Sequence, residues 1–179
     1  AALSYIMVSQ QDSVGIVQYS DVIQNILPPK STRVHLKNIM SVLGSIKPSG
    51  KTNTAACLNN IAEKIKKRGL IILVSDFFDD KDEVLKAIKH FHFRNNEVIV
   101  FQILDPAEIS FSFGPDAVFE DMETGEEIST QPYHIRKAYE EAMLDFTNGI
   151  KSECRNNRID YHLIQTNESF DKALIAFFA

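Results

Sequence analysis

Five consecutive apolar residues, Leu70 to Val74, constrain the fold more than any other feature of the chain. A run without polar alternation reads as a strand covered on both faces, the habit of parallel sheets. Val98–Leu104 reads as a second buried strand, and Val84, Leu85, Ile88 and Phe91 recur between the two at helical spacing. Strand, helix and strand in that order make a right-handed crossover unit. The fold class is therefore α/β, a doubly wound, mainly parallel sheet with helices on both faces.

The flanking segments extend this pattern. Leu3, Ile6 and Met7 share one face of a helix over residues 1–10, and Val14–Tyr19 follows as a strand. Ser20-Asp21 turns the chain into Val22–Leu27, an antiparallel edge strand that Pro28-Pro29 should end. Ser31 or Thr32 can cap a helix carrying Leu36, Ile39, Met40, Leu43 and Ile46. A loop, Lys47-Pro48-Ser49-Gly50, leads to a helix capped by Asn53 or Thr54 that buries Cys57, Leu58, Ile61, Ala62 and Ile65. Lys66, Lys67 and Arg68 complement its dipole, with Gly69 as a left-handed terminus. Asp80 and Glu83 have the spacing of a capping box. Residues 117–130 read as an extra hairpin turning at Glu123–Glu126. Pro132 suits the first turn of a long helix carrying Ile135, Ala138, Tyr139, Ala142, Phe146 and Ile150. Tyr161–Ile164 is a last strand, and Ala173–Phe178 a short closing helix.

The length, 179 residues, suits one domain over 1–179. The formal charge of −5 speaks against a nucleic-acid partner or an anionic membrane held by bulk charge. No apolar run is long enough for a membrane-spanning helix. The two cysteines, Cys57 and Cys154, both lie in helix-like segments and imply no disulfide framework, so a reducing compartment such as the cytoplasm is expected.

Ligands of doubly wound sheets bind beyond the carboxyl ends of the strands. The side chains there are Ser20, Asp21, Asp76 and Asp105, joined by Thr52 and Thr54 of the loop entering a helix. A hydroxyl on one loop and a carboxylate at a strand end are hard oxygen donors of the kind Mg²⁺ or Mn²⁺ accepts. Taken singly, Thr54 reads as a helix cap, and Asp79 and Asp80 as solvated or capping. Gly50-Lys51-Thr52 imitates the end of a phosphate-binding loop, but the earlier glycine would fall at Ser45 and the preceding segment is helical. His90 and His92, two apart, face different sides of a helix, and His35, His134 and His162 are scattered. No nucleophile–His–acid constellation can be assembled from the spacing.

Val14–Asp21, Pro48-Ser49-Gly50-Lys51-Thr52-Asn53-Thr54 and Ile71–Asp76, in that order, resemble a von Willebrand factor A-like domain. The closer resemblance is to the bacterial family named domain of unknown function fifty-eight, through Leu104-Asp105-Pro106-Ala107-Glu108, Asp121–Glu126 and the helix from Pro132. The resemblance covers essentially the whole chain. It implies a Rossmann-like sheet topped by a metal-ion-dependent adhesion site, with Thr52 and Asp76 as its metal ligands and Mg²⁺ or Mn²⁺ as the ion. The family's other ligands come from a D-x-S-x-S motif after the first, central strand. That motif is absent from this sequence and would lie upstream of Ala1, so metal binding is expected only with an upstream motif, and the domain as given lacks its first central strand. The resemblance further implies a non-enzymatic interaction module that engages a protein partner, such as a MoxR-type AAA+ ATPase, in complex assembly. The alternative is a metal-dependent hydrolase or phosphoryl-transfer enzyme using Asp76, Asp79 and Asp105.

Overall fold

The crossover centred on residues 70–104 is present in the computed structural model, which describes residues 1–46, 53–112, 117–120, 127–130 and 132–169, with 117–120, 127–130 and 132–134 described by backbone alone. The chain divides into two compact units, Ala1–Cys57 and Leu58–Ala179.

In the first unit, helix α1 (Ala2–Ser9) precedes a hairpin of β1 (Val14–Tyr19) and β2 (Ile23–Lys30), followed by α2 (Arg33–Gly44). Ser4 and Val8, four residues apart, are the buried positions of α1, while Leu3, Ile6 and Met7 are half-buried. Strand β2 does not stop before its prolines but carries Pro28 and Pro29 to Lys30. Proline cannot donate to a ladder, so it is tolerated only at an edge or a bulge, and a register shift lies between Val14 and Ile16, opposite the prolines. Gly15 makes that pairing possible. A Cβ there would stand 2.9 Å from the Leu27 carbonyl oxygen and 3.1 Å from the Pro29 ring. Thr32 caps α2 by accepting the His35 amide at 3.2 Å. His35 is a core residue, its Nε2 donating to the Val14 carbonyl at 2.8 Å and tying α2 to β1.

Helix α3 (Thr54–Lys64) is capped by Asn53, whose Oδ1 accepts the Ala56 amide at 3.2 Å, whereas Thr54 is buried. It ends before the basic cluster, and Gly69 does not adopt the left-handed conformation. Gly69 instead enters the sheet: its N–H donates to Asn96 Oδ1 at 3.1 Å and its carbonyl accepts from Glu97 at 3.0 Å.

The second unit is built on β3 (Leu70–Ser75), β4 (Glu97–Leu104) and β7 (Asp160–Gln165), an all-parallel sheet in the order β3-β4-β7. Helix α4 (Lys81–Phe93) connects β3 to β4 and buries Val84, Leu85, Ala87, Ile88 and Phe91. Asp80 caps it by accepting the Glu83 amide at 2.9 Å, but the reciprocal half of a capping box is missing because the Glu83 carboxylate pairs with Lys86 at 2.7 Å. Between β4 and β7 come the short helix α5 (Pro106–Ser110), an antiparallel hairpin of β5 (Ala117–Glu120) and β6 (Glu127–Thr130), and the long helix α6 (Pro132–Asn156). The turn at 123–126 and the closing helix at 173–178 fall outside the described residues.

Helix α6 buries Met143, Ile150 and Cys154, with Tyr139 and Phe146 half-covered, while Ile135, Ala138 and Ala142 stay exposed. Alanine gains little from cover, so the exposure of Ala138 and Ala142 costs little. Phe146 stacks on Phe78 at 5.7 Å and Tyr139 meets Phe111 at 4.4 Å. Lys89 of α4 and Glu153 of α6 pair at 2.7 Å. Strand β4 is covered on both faces, from Val98 through Phe101. Strand β3 is not: Leu70 is 43% and Val74 60% exposed, because β3 borders only β4 among the described residues.

Candidate functional site at the strand ends

Strand β3 delivers Asp76 at its carboxyl end, where the sheet stops and α4 has not begun. The chain turns there through an unusual conformation. Phe77, fully buried, sits at φ 62°, a left-handed value that bulky residues adopt only when their surroundings impose it. Several hydrogen bonds impose it here. The Phe77 N–H donates to Ser75 Oγ at 3.1 Å, the Phe78 N–H to Asp76 Oδ1 at 3.1 Å, and the Asp79 N–H to the Phe77 carbonyl at 2.8 Å. Ser75 Oγ also lies 3.4 Å from Asp76 Oδ1. Asp76 is exposed, and its second carboxylate oxygen has no hydrogen-bond partner among the described residues. A fixed carboxylate with one oxygen free suits a hard cation or a donor group from a partner.

The other candidates have structural employment. Asp105 caps α5 in a complete capping box with Glu108, and its oxygens accept from the Ala107 amide at 2.9 Å and the Thr166 hydroxyl at 2.7 Å. These hydrogen bonds, the Thr166 one foremost, hold its carboxyl below the usual carboxylate range. Asp79 Oδ1 accepts the Asp80 amide at 2.8 Å. In the first unit, Ser20 Oγ donates to Asp21 Oδ1 at 2.9 Å, and the Ser20 carbonyl accepts from the Asn53 amide at 3.1 Å. Thr52 lies outside the described residues. Among the described residues no three His, Cys, Asp or Glu side chains are grouped to hold a metal ion, so Asp76, Asp79 and Asp105 do not converge as a ligand set. The metal fit therefore rests on Asp76 and its free oxygen.

His90 Nδ1 lies 3.1 Å from Asn59 Oδ1, and the His162 ring stacks on Phe101 at 5.3 Å. Cys57 and Cys154 are both buried and free. Burial, reinforced by the neighbouring Glu153 carboxylate, pushes the Cys154 thiol up to about 12, which excludes it as a nucleophile. A cavity of about 460 Å³ opens at the opposite, amino end of the sheet, lined by Arg68, His92, Asn95, Glu97, Arg158 and Asp160 among others. It does not coincide with the Asp76 turn.

One participant was missed by sequence reasoning. Gln102, in β4, is fully buried and donates from Nε2 to the Asp76 carbonyl at 2.9 Å. The available signal was a lone amide in the apolar run Val98–Leu104.

Residues 1–148 match the family model described as "Protein of unknown function DUF58". No curated protein matches the chain. Solved structures of similar fold include the conserved hypothetical protein BatB from Bacteroides thetaiotaomicron, at 16% identity and a TM-score of 0.58, covering 98% of this chain and 82% of that one. An aerotolerance-related membrane protein from Bacteroides fragilis NCTC 9343, solved with multiple mutations to serines, aligns at 19% identity and a TM-score of 0.58, covering 98% and 84%. At such identities the likeness concerns the fold. No helix among the described residues is long and apolar enough to cross a membrane.

Proposed function

For a chain that belongs to the DUF58 family, whose function is unknown, we propose a von Willebrand factor A-like protein-interaction module that captures an acidic side chain of a partner at the Asp76 turn. The observation that carries this reading is the Asp76 carboxylate, held at the carboxyl end of a parallel strand by an over-determined turn, with one oxygen unpartnered among the described residues. Asp76 and Thr52 are the residues of this chain that would hold Mg²⁺ or Mn²⁺ for that capture. Such an ion would supply charge neutralisation between that carboxylate and the partner's; this chain supplies a carboxylate already fixed by its turn. A MoxR-type AAA+ ATPase is the partner class we favour, with a role in complex assembly. The module works in the cytoplasm, a reading that its free buried thiols support.

A calorimetric titration of the full-length protein with Mg²⁺ and Mn²⁺ tests the proposal. Saturable binding that disappears in Thr52→Ala and in Asp76→Ala is the expected result. Equal binding by those variants and the parent sinks the assignment. The metal-dependent enzyme reading draws less support, because Asp105 has both oxygens engaged in capping α5 and holding Thr166. A phosphatase and nuclease screen with divalent ions would reverse that preference if it gave turnover lost in Asp76→Asn.

A further inference from the structure

Two strands of the parallel sheet contribute side chains to a chain of hydrogen bonds that ends on the Asp76 carbonyl, just past the third. The Tyr161 hydroxyl of β7 donates to Gln102 Oε1 of β4 at 2.7 Å, and Gln102 Nε2 donates to the Asp76 main-chain carbonyl beyond β3 at 2.9 Å. Gln102 stands in register between Ser75 on β3 and Leu163 on β7, with no exposed surface. A carboxamide buried in a sheet is costly unless its polar atoms are bonded, and an apolar residue would fill the position without that cost. A local rule broken in an otherwise apolar strand marks a position kept for something other than packing.

What Gln102 holds is a turn with a bulky residue in the left-handed region. Phe77 follows Asp76 directly at φ 62°, and such a conformation persists only where neighbouring bonds over-determine it. The other bonds of the turn are made within residues 75–79, whereas Gln102 anchors it to the middle of the sheet. Burial, followed by the proximity of Cys154, pushes the Tyr161 hydroxyl up to about 12, so it remains a donor throughout the physiological range.

We propose that Gln102 and Tyr161 are positioning residues for Asp76, fixing the turn so that its carboxylate is presented to a ligand in one orientation. As a statement about binding, this rests on the reading of Asp76 as a ligand residue. As a statement about the turn, it stands separately.

The test combines Mn²⁺ titration with amide hydrogen exchange on the full-length protein and three variants. Gln102→Glu is isosteric and keeps the acceptor for Tyr161, and its ionised form has no donor for the Asp76 carbonyl, so exchange is followed above the pH at which that carboxyl loses its proton. Tyr161→Phe removes only the far donor, and Gln102→Leu removes both bonds. The expected result is folded variants in which the Phe77 and Phe78 amides exchange about tenfold faster in Gln102→Glu, with Mn²⁺ affinity falling by a similar factor. Tyr161→Phe should show a smaller change in the same direction. If Gln102→Leu fails to fold, the other two variants still decide. Unchanged Phe77 and Phe78 protection in both overturns the positioning role. Loss of protection in variants of a parent that binds no Mn²⁺ supports the positioning role and overturns the metal reading instead.

Discussion

The β1–β2 hairpin and the β3-β4-β7 sheet solve the same problem, pairing backbone between strands, with different degrees of cover. No residue of β1 or β2 is fully buried, and β2 is exposed at most positions. In β4 nearly every residue is buried. The contrast follows from connectivity, because parallel strands must be joined by helices that then lie on the sheet, while a hairpin closes through its own turn. Energy is therefore concentrated in the second unit, and accuracy of backbone approach matters more in the first.

The sharpest way to break this comparison is to delete buried volume in one place and exposed volume in the other. Phe91→Ala, which empties the fully buried face of α4, should cost about 3–5 kcal/mol in urea unfolding. Ile26→Ala, on the half-exposed outer strand, should cost less than about 0.5 kcal/mol. Equal losses would show that the hairpin is packed as firmly as the sheet. A next, smaller effect tests the claim about backbone approach. Gly15→Ala places a methyl group 2.9 Å from the Leu27 carbonyl and should destabilise by about 1–3 kcal/mol, with hydrogen exchange quickening in β1 and β2.

Glycine in the second unit should behave in the opposite way. Gly149 lies inside α6, where the nearest atoms to an added Cβ belong to the end of the Lys81 side chain, at 3.2 Å. That flexible chain can move aside, so Gly149→Ala should raise stability by up to about 1 kcal/mol through helix propensity, read as a higher Tm. The smallest effect concerns acid. Asp105 has a lowered pKa in the folded state, so its contribution is fully present above the ordinary carboxylate range and is lost as pH falls through the lowered value. Thr166→Val removes the largest cause of that lowering. Its stability should fall less steeply with acidification than the parent's, as followed by thermal melts between about pH 5 and pH 2. An unchanged slope would show that the Thr166 bond has no differential effect on folding.

The same contrast explains what could be read in the sequence. Leu70–Val74 and Val98–Leu104 announced the parallel strands because cover on both faces demands apolar residues at every position. The prolines of β2 look like terminators in the sequence, and only the bulge and Gly15 opposite them reveal how they are accommodated. Helix caps were half legible: Thr32 and Asp80 act as caps, but Asn53 rather than Thr54 serves α3. At the site, Asp76 is visible as an acid after a strand, whereas Gln102 reaches it from 26 positions away and Tyr161 reaches Gln102 from a further 59. Such long-range polar contacts leave no local periodicity. Asp105 shows the converse, an acid at a strand end whose work is to cap a helix.

Pro28 and Pro29 blunt one strand of the first unit, but residues 70–75 contain neither proline nor charge. With Leu70 and Val74 exposed and a single neighbour described for it, β3 has the composition of a segment that recruits other chains by backbone pairing. Before its neighbours are in place during synthesis, this strand offers an apolar edge to other chains. The feature that makes the fold so easy to recognise is thus also its main aggregation hazard.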